Sequence, residues 1–176
     1  MTARHIYVDE TKERGYVMVA SVHLGPETAA LRAAMRRLVL PGQHRLHMAK
    51  ESPARRKVIA DAICSAGVVA TIYDAGRRYS NDVSARAACL EALIADVDTS
   101  HQTLLVIEQD DSLIRWDRQR LIELIRAAGC GDSVRYEHNR ARAELLLSVP
   151  DAIAWCWARG GHWRGRVAAV TSVKRV

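Results

Sequence analysis

Three acidic residues of the sequence stand where a predicted strand ends or a predicted helix begins. Asp9 follows the apolar run HIYV, Glu108 follows TLLVI, and Asp151 lies near the start of the apolar segment SVPDAIAWCW. Ligands of open α/β sheets bind where strands terminate, so these acids can converge on one place. Converging carboxylates raise each other's pKa unless a cation lies among them. We therefore identify Asp9, Glu108 and Asp151 as candidate metal ligands, with Asp110 as the closest rival of Glu108.

The chemistry that such a site would support is hydrolysis of a phosphodiester. Hard carboxylate oxygens favour Mg²⁺ or Mn²⁺. Two such ions, about 3.5–4 Å apart, can activate a water molecule and stabilise the leaving oxygen. The acids therefore predict a metal-dependent nuclease that uses two Mg²⁺ or Mn²⁺ ions.

Purely structural roles are open for the two acids near the N-terminus. Asp9 and Glu10 lie beside the charged turn KER, so either could be a hairpin acid paired with Lys12 or Arg14. A period of two places Asp9 on the side of Tyr7, whereas Glu10 falls on the opposite side. We favour the metal site for Asp9 and the hairpin pairing for Glu10.

Structural roles are also open for the later acids. Glu108 could begin the solvated loop EQDD, in which Asp110 or Asp111 would cap the next helix. Ser148 and Asp151 match a capping box, an interpretation that needs no metal and that would be preferred for Asp151 taken alone.

The elements that must position these residues alternate along the chain after an opening antiparallel hairpin. Hydrophobic periodicity and turn residues predict strands at 5–11, 15–24, 68–75, 103–111 and 133–139, and helices at 26–40, 53–66, 81–97, 115–129 and 148–160. A brief strand is one interpretation of the link at 44–51, and residues 167–173 are interpreted as a short strand or tail. The pattern predicts a single α/β domain over residues 1–176, with a mixed sheet covered by helices.

The overall charge is consistent with an anionic partner. The formal net charge is +6, and 22 of the 26 basic residues are arginine. The guanidinium group binds phosphate oxygens through two hydrogen bonds, so the composition suits nucleic-acid contact. A solvated arginine-rich surface without a ligand is the alternative, and the basic clusters lack the interleaved aromatic residues that stack bases.

Other features of the sequence narrow the classes of protein. The four cysteines are widely spaced and are predicted to be reduced thiols. The sequence shows no apolar signal segment and no membrane span, which predicts a cytoplasmic protein without membrane contact; it predicts no oligomeric state. Phosphate-loop, dinucleotide-binding and serine-elbow motifs are absent from the sequence. His44, His47 and Glu51 could form a zinc site, although we prefer an exposed polar link.

Five segments together resemble a known family. They are YVDET, GYVMVASV, RLHMAKES, LLVIEQDD and LLLSVPDAIAWCW, and the resemblance covers the chain from His5 to about Trp157. In this order they resemble the bacterial domain-of-unknown-function family 3800, which is grouped with ribonuclease H-like folds. Members of that family begin with an Asp-Glu-Ser-Gly segment, and this chain has Asp9-Glu10-Thr11 without the glycine. The family's His and Lys are matched by His47 and Lys50, and its late helical acid by Asp151.

The resemblance implies a ribonuclease H-like domain in which the first strand is central and carries a metal ligand. The partner acids of that fold come from a later strand end and from the final helix, the order of Asp9, Glu108 and Asp151 here. Lys50 or His47 would then neutralise charge on the phosphate or the leaving oxygen. The backbone of RNA or DNA would be held by four arginines: Arg55, Arg56, Arg140 and Arg142. The alternative is a non-catalytic basic α/β domain that binds nucleic acid or a protein partner.

Overall fold

A computed structural model, which describes residues 2–176, contains six strands and six α-helices. The strands are β1 (Arg4–Thr11), β2 (Tyr16–Leu24), β3 (Val69–Gly76), β4 (Thr103–Glu108), β5 (Val134–Asn139) and β6 (Thr171–Arg175). The helices are α1 (Gly25–Leu38), α2 (Pro53–Ser65), α3 (Asp82–Asp96), α4 (Ile114–Ala127), α5 (Ser148–Arg159) and α6 (His162–Val167). Short 3₁₀ turns occupy Met48–Lys50, Leu145–Leu147 and Ala168–Val170.

The strands form one mixed sheet in the order β5-β4-β1-β2-β3-β6. β1 pairs antiparallel with β2, and β2 pairs antiparallel with β3, which confirms the predicted opening hairpin. β4 runs parallel to β1, β5 runs parallel to β4, and β6 runs parallel to β3. The predicted α/β class with a mixed sheet and flanking helices is therefore confirmed, and β1 lies in the interior of the sheet.

Helices cover both faces of this sheet because successive side chains of a strand point to opposite faces. Tyr7 of β1 belongs to the core beneath α1, α2, α5 and α6, which we call the first face. Val8 belongs to the core beneath α3 and α4, the second face. Each face thus has its own apolar core, and a residue's parity along β1 decides which core it joins.

Several helix ends follow from local sequence, as predicted. Ser52 caps α2 by accepting a hydrogen bond from the backbone N–H of Arg55 at 3.3 Å, and Pro53 occupies the first turn. Gly67 follows α2 with a φ of 67°, a left-handed conformation that glycine adopts without strain. Asn81 caps α3 through the N–H of Ser84 at 2.8 Å.

The start of α5 contradicts the predicted capping box. The 3₁₀ turn Leu145–Leu147 runs directly into α5, so Leu147 is the N-cap residue and Ser148 is already helical. The Ser148 hydroxyl instead donates to the backbone carbonyl of Leu46 at 3.2 Å. The backbone N–H of Ser148 bonds to carbonyls of the preceding turn, and the start of α5 has no side-chain capping hydrogen bond.

Two further segments differ from the expectations. The link at 44–51 contains the 3₁₀ turn Met48–Lys50 and no strand. Helix α6 was not predicted; it follows Gly160 and Gly161, whose positive φ angles turn the chain, and Trp163 anchors it against Trp155 with ring centroids 5.1 Å apart. The four cysteines are free, as predicted. None of the helices formed by residues 2–176 combines the length and apolarity needed to cross a membrane.

Candidate active site

Asp9 and Glu108 lie side by side near the ends of two neighbouring parallel strands. Val8 of β1 is in register with Ile107 of β4, so the next residue of each strand is Asp9 or Glu108. Tyr7 and Val106, which precede these acids by two residues, both belong to the core of the first face. Strand alternation therefore directs both carboxylates toward the first face, at the end of the sheet where β1 and β4 terminate.

Asp151 reaches the same end of the sheet from α5, which packs on β1 and β2. Its carboxylate is tied to the link that precedes α2. Oδ2 accepts a hydrogen bond from the backbone N–H of Met48 at 3.0 Å, and Oδ1 lies 3.3 Å from Nδ1 of His47. The acid and the predicted histidine are thus in contact, although Nδ1 of His47 forms no hydrogen bond.

The acids act on one another electrostatically. Burial raises the pKa of Asp9 well above its usual value, and the charges of Asp151, Glu10 and Glu108 raise it further. The backbone N–H of Glu10, 2.8 Å from Asp9 Oδ1, opposes the rise. Negative charge from β1, β4 and α5 is therefore concentrated around Asp9 without an equal positive charge beside it.

Glu108 is only partly compensated. Burial raises its pKa, whereas the backbone N–H of Ala141 and the guanidinium of Arg45 lower it, and Asp151 raises it again. Arg45 Nη1 lies 3.6 Å from Glu108 Oε1, but Oε2 is buried without a hydrogen-bond partner. A buried carboxylate oxygen without a hydrogen-bond partner destabilises the fold, and a bound cation would remove this cost. Oε2 of Glu108 is therefore suited to be a ligand of a cation.

The residues present therefore fit a divalent cation in their chemistry. Asp9, Glu108 and Asp151 supply hard oxygen donors, and the side chains of Glu108 and Asp151 remain 21% and 20% exposed, so that a ligand can reach them. Within residues 2–176, however, no three histidine, cysteine or acidic side chains converge closely enough to hold an ion as they stand. Asp151 is engaged by His47 and Met48, and Glu108 faces Arg45.

Asp110 lies apart from this cluster in its interactions. Its Oδ1 accepts hydrogen bonds from the backbone N–H and the hydroxyl of Ser112, at 2.9 and 2.6 Å, and the Ser112 hydroxyl lowers its pKa. Asp110 is not among the groups that raise the pKa of Asp9, whereas Glu108 is. Of the two rivals, Glu108 is therefore the acid that interacts with Asp9.

Glu10 has a role different from the predicted one. Its Oε2 lies 2.9 Å from Nη1 of Arg86, which is completely buried on the second face. The expected pairing with Lys12 or Arg14 is wrong, and the Arg14 guanidinium donates to the carbonyl of Arg159 instead. Glu10 points away from Asp9 because adjacent strand residues face opposite sides.

Behind Glu10 lies a buried polar network that was not predicted from the sequence. Arg86 forms two hydrogen bonds to Asp117, each 2.7 Å, and a third to the hydroxyl of Tyr16 at 3.0 Å. His138 Nε2 lies 3.2 Å from Asp117 Oδ2. The network links β1, β2, α3, α4 and β5 directly behind the acids.

The link at 44–51 brings basic residues to the site. Lys50 is exposed on its 3₁₀ turn and, with His44 and His47, lines a cavity of about 420 Å³. Glu51 is buried and engaged by Gln43 at 3.1 Å and by Arg55 at 3.3 Å. The alternative zinc set of His44, His47 and Glu51 is therefore not assembled.

The four arginines expected to bind nucleic acid fall into two pairs. Arg55 contacts Glu51 and the carbonyl of Leu38. Arg56 donates to the carbonyls of Met48 and Ala49, at 2.7 and 2.9 Å, and lies 4.4 Å from the ring centroid of Trp155. This first pair holds the link in place. Arg140 and Arg142 are exposed near Glu108, although Arg140 is paired with Asp111 at 2.6 Å.

The surroundings of Asp9 predict an unusual dependence of stability on pH in the presence of a chelator. Because the folded-state pKa of Asp9 is raised, its contribution to stability is fully present below the unfolded-state pKa of about 4 and is lost as the pH rises through the folded-state pKa. Asp9→Asn should therefore stabilise the fold at pH 7 by ~1–3 kcal/mol. The gain should disappear near pH 3.5.

Urea unfolding in EDTA at pH 3.5, 5 and 7 measures this difference. Glu13→Gln, an exposed acid in the same hairpin, serves as the control and should change stability little at any of these pH values. A destabilised Asp9→Asn at pH 7 would mean that the carboxylate is better compensated than its neighbours indicate.

No protein-family model matches the sequence, and no curated protein is similar enough to it to count as a relative.

Proposed function

We propose that the protein is a metal-dependent nuclease that hydrolyses phosphodiester bonds of nucleic acid. The observation that carries this proposal is the convergence of Asp9, Glu108 and Asp151, three acids from distant parts of the chain, at one end of the sheet, where burial and the charges of Asp151 and Glu108 raise the pKa of Asp9. An uncompensated acidic cluster beside exposed arginines suits a site where cations and a phosphate bind together.

The proposal extends to a ribonuclease H-like fold and to the resemblance with family 3800. Both receive support from the interior position of β1 in the sheet. They are also supported by the origin of the partner acids, Glu108 from the end of β4 and Asp151 from α5, the α-helix that follows β5. This is the arrangement that the resemblance implies.

The roles of the residues follow from their contacts. Asp9, Glu108 and Asp151 would hold two Mg²⁺ or Mn²⁺ ions, which when bound activate water and stabilise the leaving oxygen. Nδ1 of His47 lies 3.3 Å from Oδ1 of Asp151, and the imidazole would neutralise charge on the phosphate or the leaving oxygen. Lys50 lines the adjoining cavity and would neutralise phosphate charge there.

Arg140, Arg142 and Arg45 would hold the nucleic-acid backbone beside these acids. Contacts to phosphate make binding fall steeply with salt and give little sequence preference. Arg55 and Arg56, which were also expected in this role, would act indirectly by holding the link that carries His47 and Lys50.

The two acids that follow β4 supply a matched test. We expect labelled RNA or DNA to be cleaved in Mg²⁺ or Mn²⁺ but not in EDTA, and Glu108→Gln to lower the cleavage rate at least ~100-fold. Asp110→Asn should keep at least half of the wild-type rate because Asp110 only stabilises its own turn. Circular dichroism spectra would establish that both variants are folded. Cleavage in EDTA, or equal losses in the two variants, would contradict the proposed site.

A non-catalytic domain that binds nucleic acid is the second candidate function. It is favoured by one observation, that no three ligand side chains among residues 2–176 converge closely enough for an ion as they stand. Binding of oligonucleotides without cleavage in Mg²⁺ and in Mn²⁺ would support this second function over the first.

A further inference from the structure

Two adjoining cavities lie beside the acidic cluster. The first, of about 420 Å³, is lined by His44, His47 and Lys50 among others, and the second, of about 310 Å³, is lined by Arg140 and Ala141. Arg45 and Arg142 line both cavities, so these two side chains stand between them.

The cavities are connected to the acids on both sides. Arg45 contacts Glu108 at 3.6 Å, and His47 contacts Asp151 at 3.3 Å. Arg142 is exposed and forms no ion pair with an acidic side chain anywhere in residues 2–176. Its guanidinium is therefore available to an anion, whereas that of Arg140 is already paired with Asp111.

We propose that the two cavities hold consecutive nucleotides of a single-stranded polynucleotide, with the phosphate between them on Arg45 and Arg142. The inference rests on the proposed function, because it places a phosphodiester beside Arg45 and His47, which contact Glu108 and Asp151. Guanidinium groups bind phosphate oxygens through paired hydrogen bonds, and two arginines facing one gap suit a single bridging phosphate.

A single strand fits this surface better than a duplex does. The nucleotides of a duplex are stacked and paired, so they enter separate cavities only after the strands part. Neither cavity is lined by phenylalanine, tyrosine or tryptophan within the described part of the chain, and the only rings at the first cavity are the imidazoles of His44 and His47. Affinity must then come mainly from phosphate contacts, which makes it steeply dependent on salt and tolerant of sequence.

The test is binding of fluorescein-labelled oligonucleotides in EDTA, followed by fluorescence anisotropy. Single-stranded RNA, single-stranded DNA and the matching duplexes are compared on wild type, Arg142→Gln and Arg118→Gln. Arg118 is an exposed arginine of α4 on the second face, so its variant removes the same charge away from the cavities. The RNA and DNA arms identify which polynucleotide the site takes.

We expect single strands to bind at least ~10-fold tighter than duplexes, and Arg142→Gln to weaken their binding ~10-fold while lowering the salt slope by about 1. Arg118→Gln should leave single-strand binding within ~2-fold of wild type. Equal affinity for single strands and duplexes, or equal effects of the two variants, would overturn the inference.

Cleavage measured separately in Mn²⁺ distinguishes failure of this inference from failure of the proposed function. Weakened single-strand binding by Arg142→Gln without any cleavage by wild type would retain the binding site and reject the nuclease. Cleavage with an unchanged kcat/KM in Arg142→Gln would retain the nuclease and reject the binding site.

Discussion

Asp9→Asn should abolish metal-dependent cleavage, with kcat/KM falling at least ~1,000-fold, or ~4 kcal/mol of transition-state stabilisation. Asp9 ends β1 beside Glu108 of β4, and its pKa is raised by burial and then by the charges of Asp151, Glu10 and Glu108. An asparagine keeps the size of the side chain but carries no charge, so the loss measures the carboxylate alone. Single-turnover cleavage of an end-labelled strand in Mn²⁺ gives the rate.

The same substitution should remove the stabilisation of the fold by Mn²⁺. For wild type, Mn²⁺ at about 100 times its Kd adds ~2.7 kcal/mol to the free energy of unfolding, or about 5–10 °C in Tm for a chain of this size. Asp9→Asn should show less than ~2 °C, although it starts from a higher stability in EDTA, since the buried charge is gone.

The two results together separate a missing ligand from a damaged fold. A variant that had merely lost its structure would lose activity and stability at once, whereas Asp9→Asn should be more stable in EDTA and inactive. Glu13→Gln should resemble wild type in both measurements. An Mn²⁺-dependent rise in Tm that survives Asp9→Asn would place the ion elsewhere and contradict the site.

Local patterns were enough to predict most of the fold. The period of two in HIYVDET predicted that Asp9 and Glu10 face opposite sides, and the ion pair of Glu10 with Arg86 on the second face agrees with it. The proline, serine and glycine residues around α2 predicted its ends because their effects are confined to one turn. Helix α6 was missed because it is a six-residue helix whose position depends on packing between Trp163 and Trp155.

The partners of the acids could not be predicted as well as their positions. The capping-box pattern at Ser148 was overridden by the 3₁₀ turn before α5, a feature set by how the chain enters the helix. Arg45, which contacts Glu108, comes from a link without periodic pattern, so no sequence signal paired the two. Arg86 did carry a signal: it shares a helical face with Leu90 and Leu93, where an arginine needs a buried partner.

Arg86→Met should destabilise the protein by ~3–5 kcal/mol, the largest stability effect that we expect from a single substitution. Arg86 is fully buried, and its removal leaves the buried carboxylate of Asp117 and the half-buried carboxylate of Glu10 without their guanidinium partner. Although burial alone would raise the pKa of Asp117, hydrogen bonds from His138 and Arg86 hold it below its usual value. Urea unfolding at pH 7 measures the loss.

A double-mutant cycle shows whether the lost stability comes from the unpaired charge of Asp117 or from lost packing of Arg86. Asp117→Leu alone should also cost several kcal/mol, because Arg86 then keeps only Glu10 and Tyr16 as partners. The double variant Arg86→Met/Asp117→Leu should recover at least ~1–2 kcal/mol relative to the sum of the single variants, since neither buried charge remains in that pair.

A partly exposed arginine of the neighbouring helix provides the matched control. Arg120 contacts Glu91 and Glu123 at the surface, at 3.5 and 3.6 Å, and Arg120→Met should cost less than ~1 kcal/mol. A loss of that small size for Arg86→Met as well would mean that Asp117 and Glu10 find other partners or take up protons. In that case the ion pair with Arg86 would not be what holds the Glu10 carboxylate on the second face, away from Asp9.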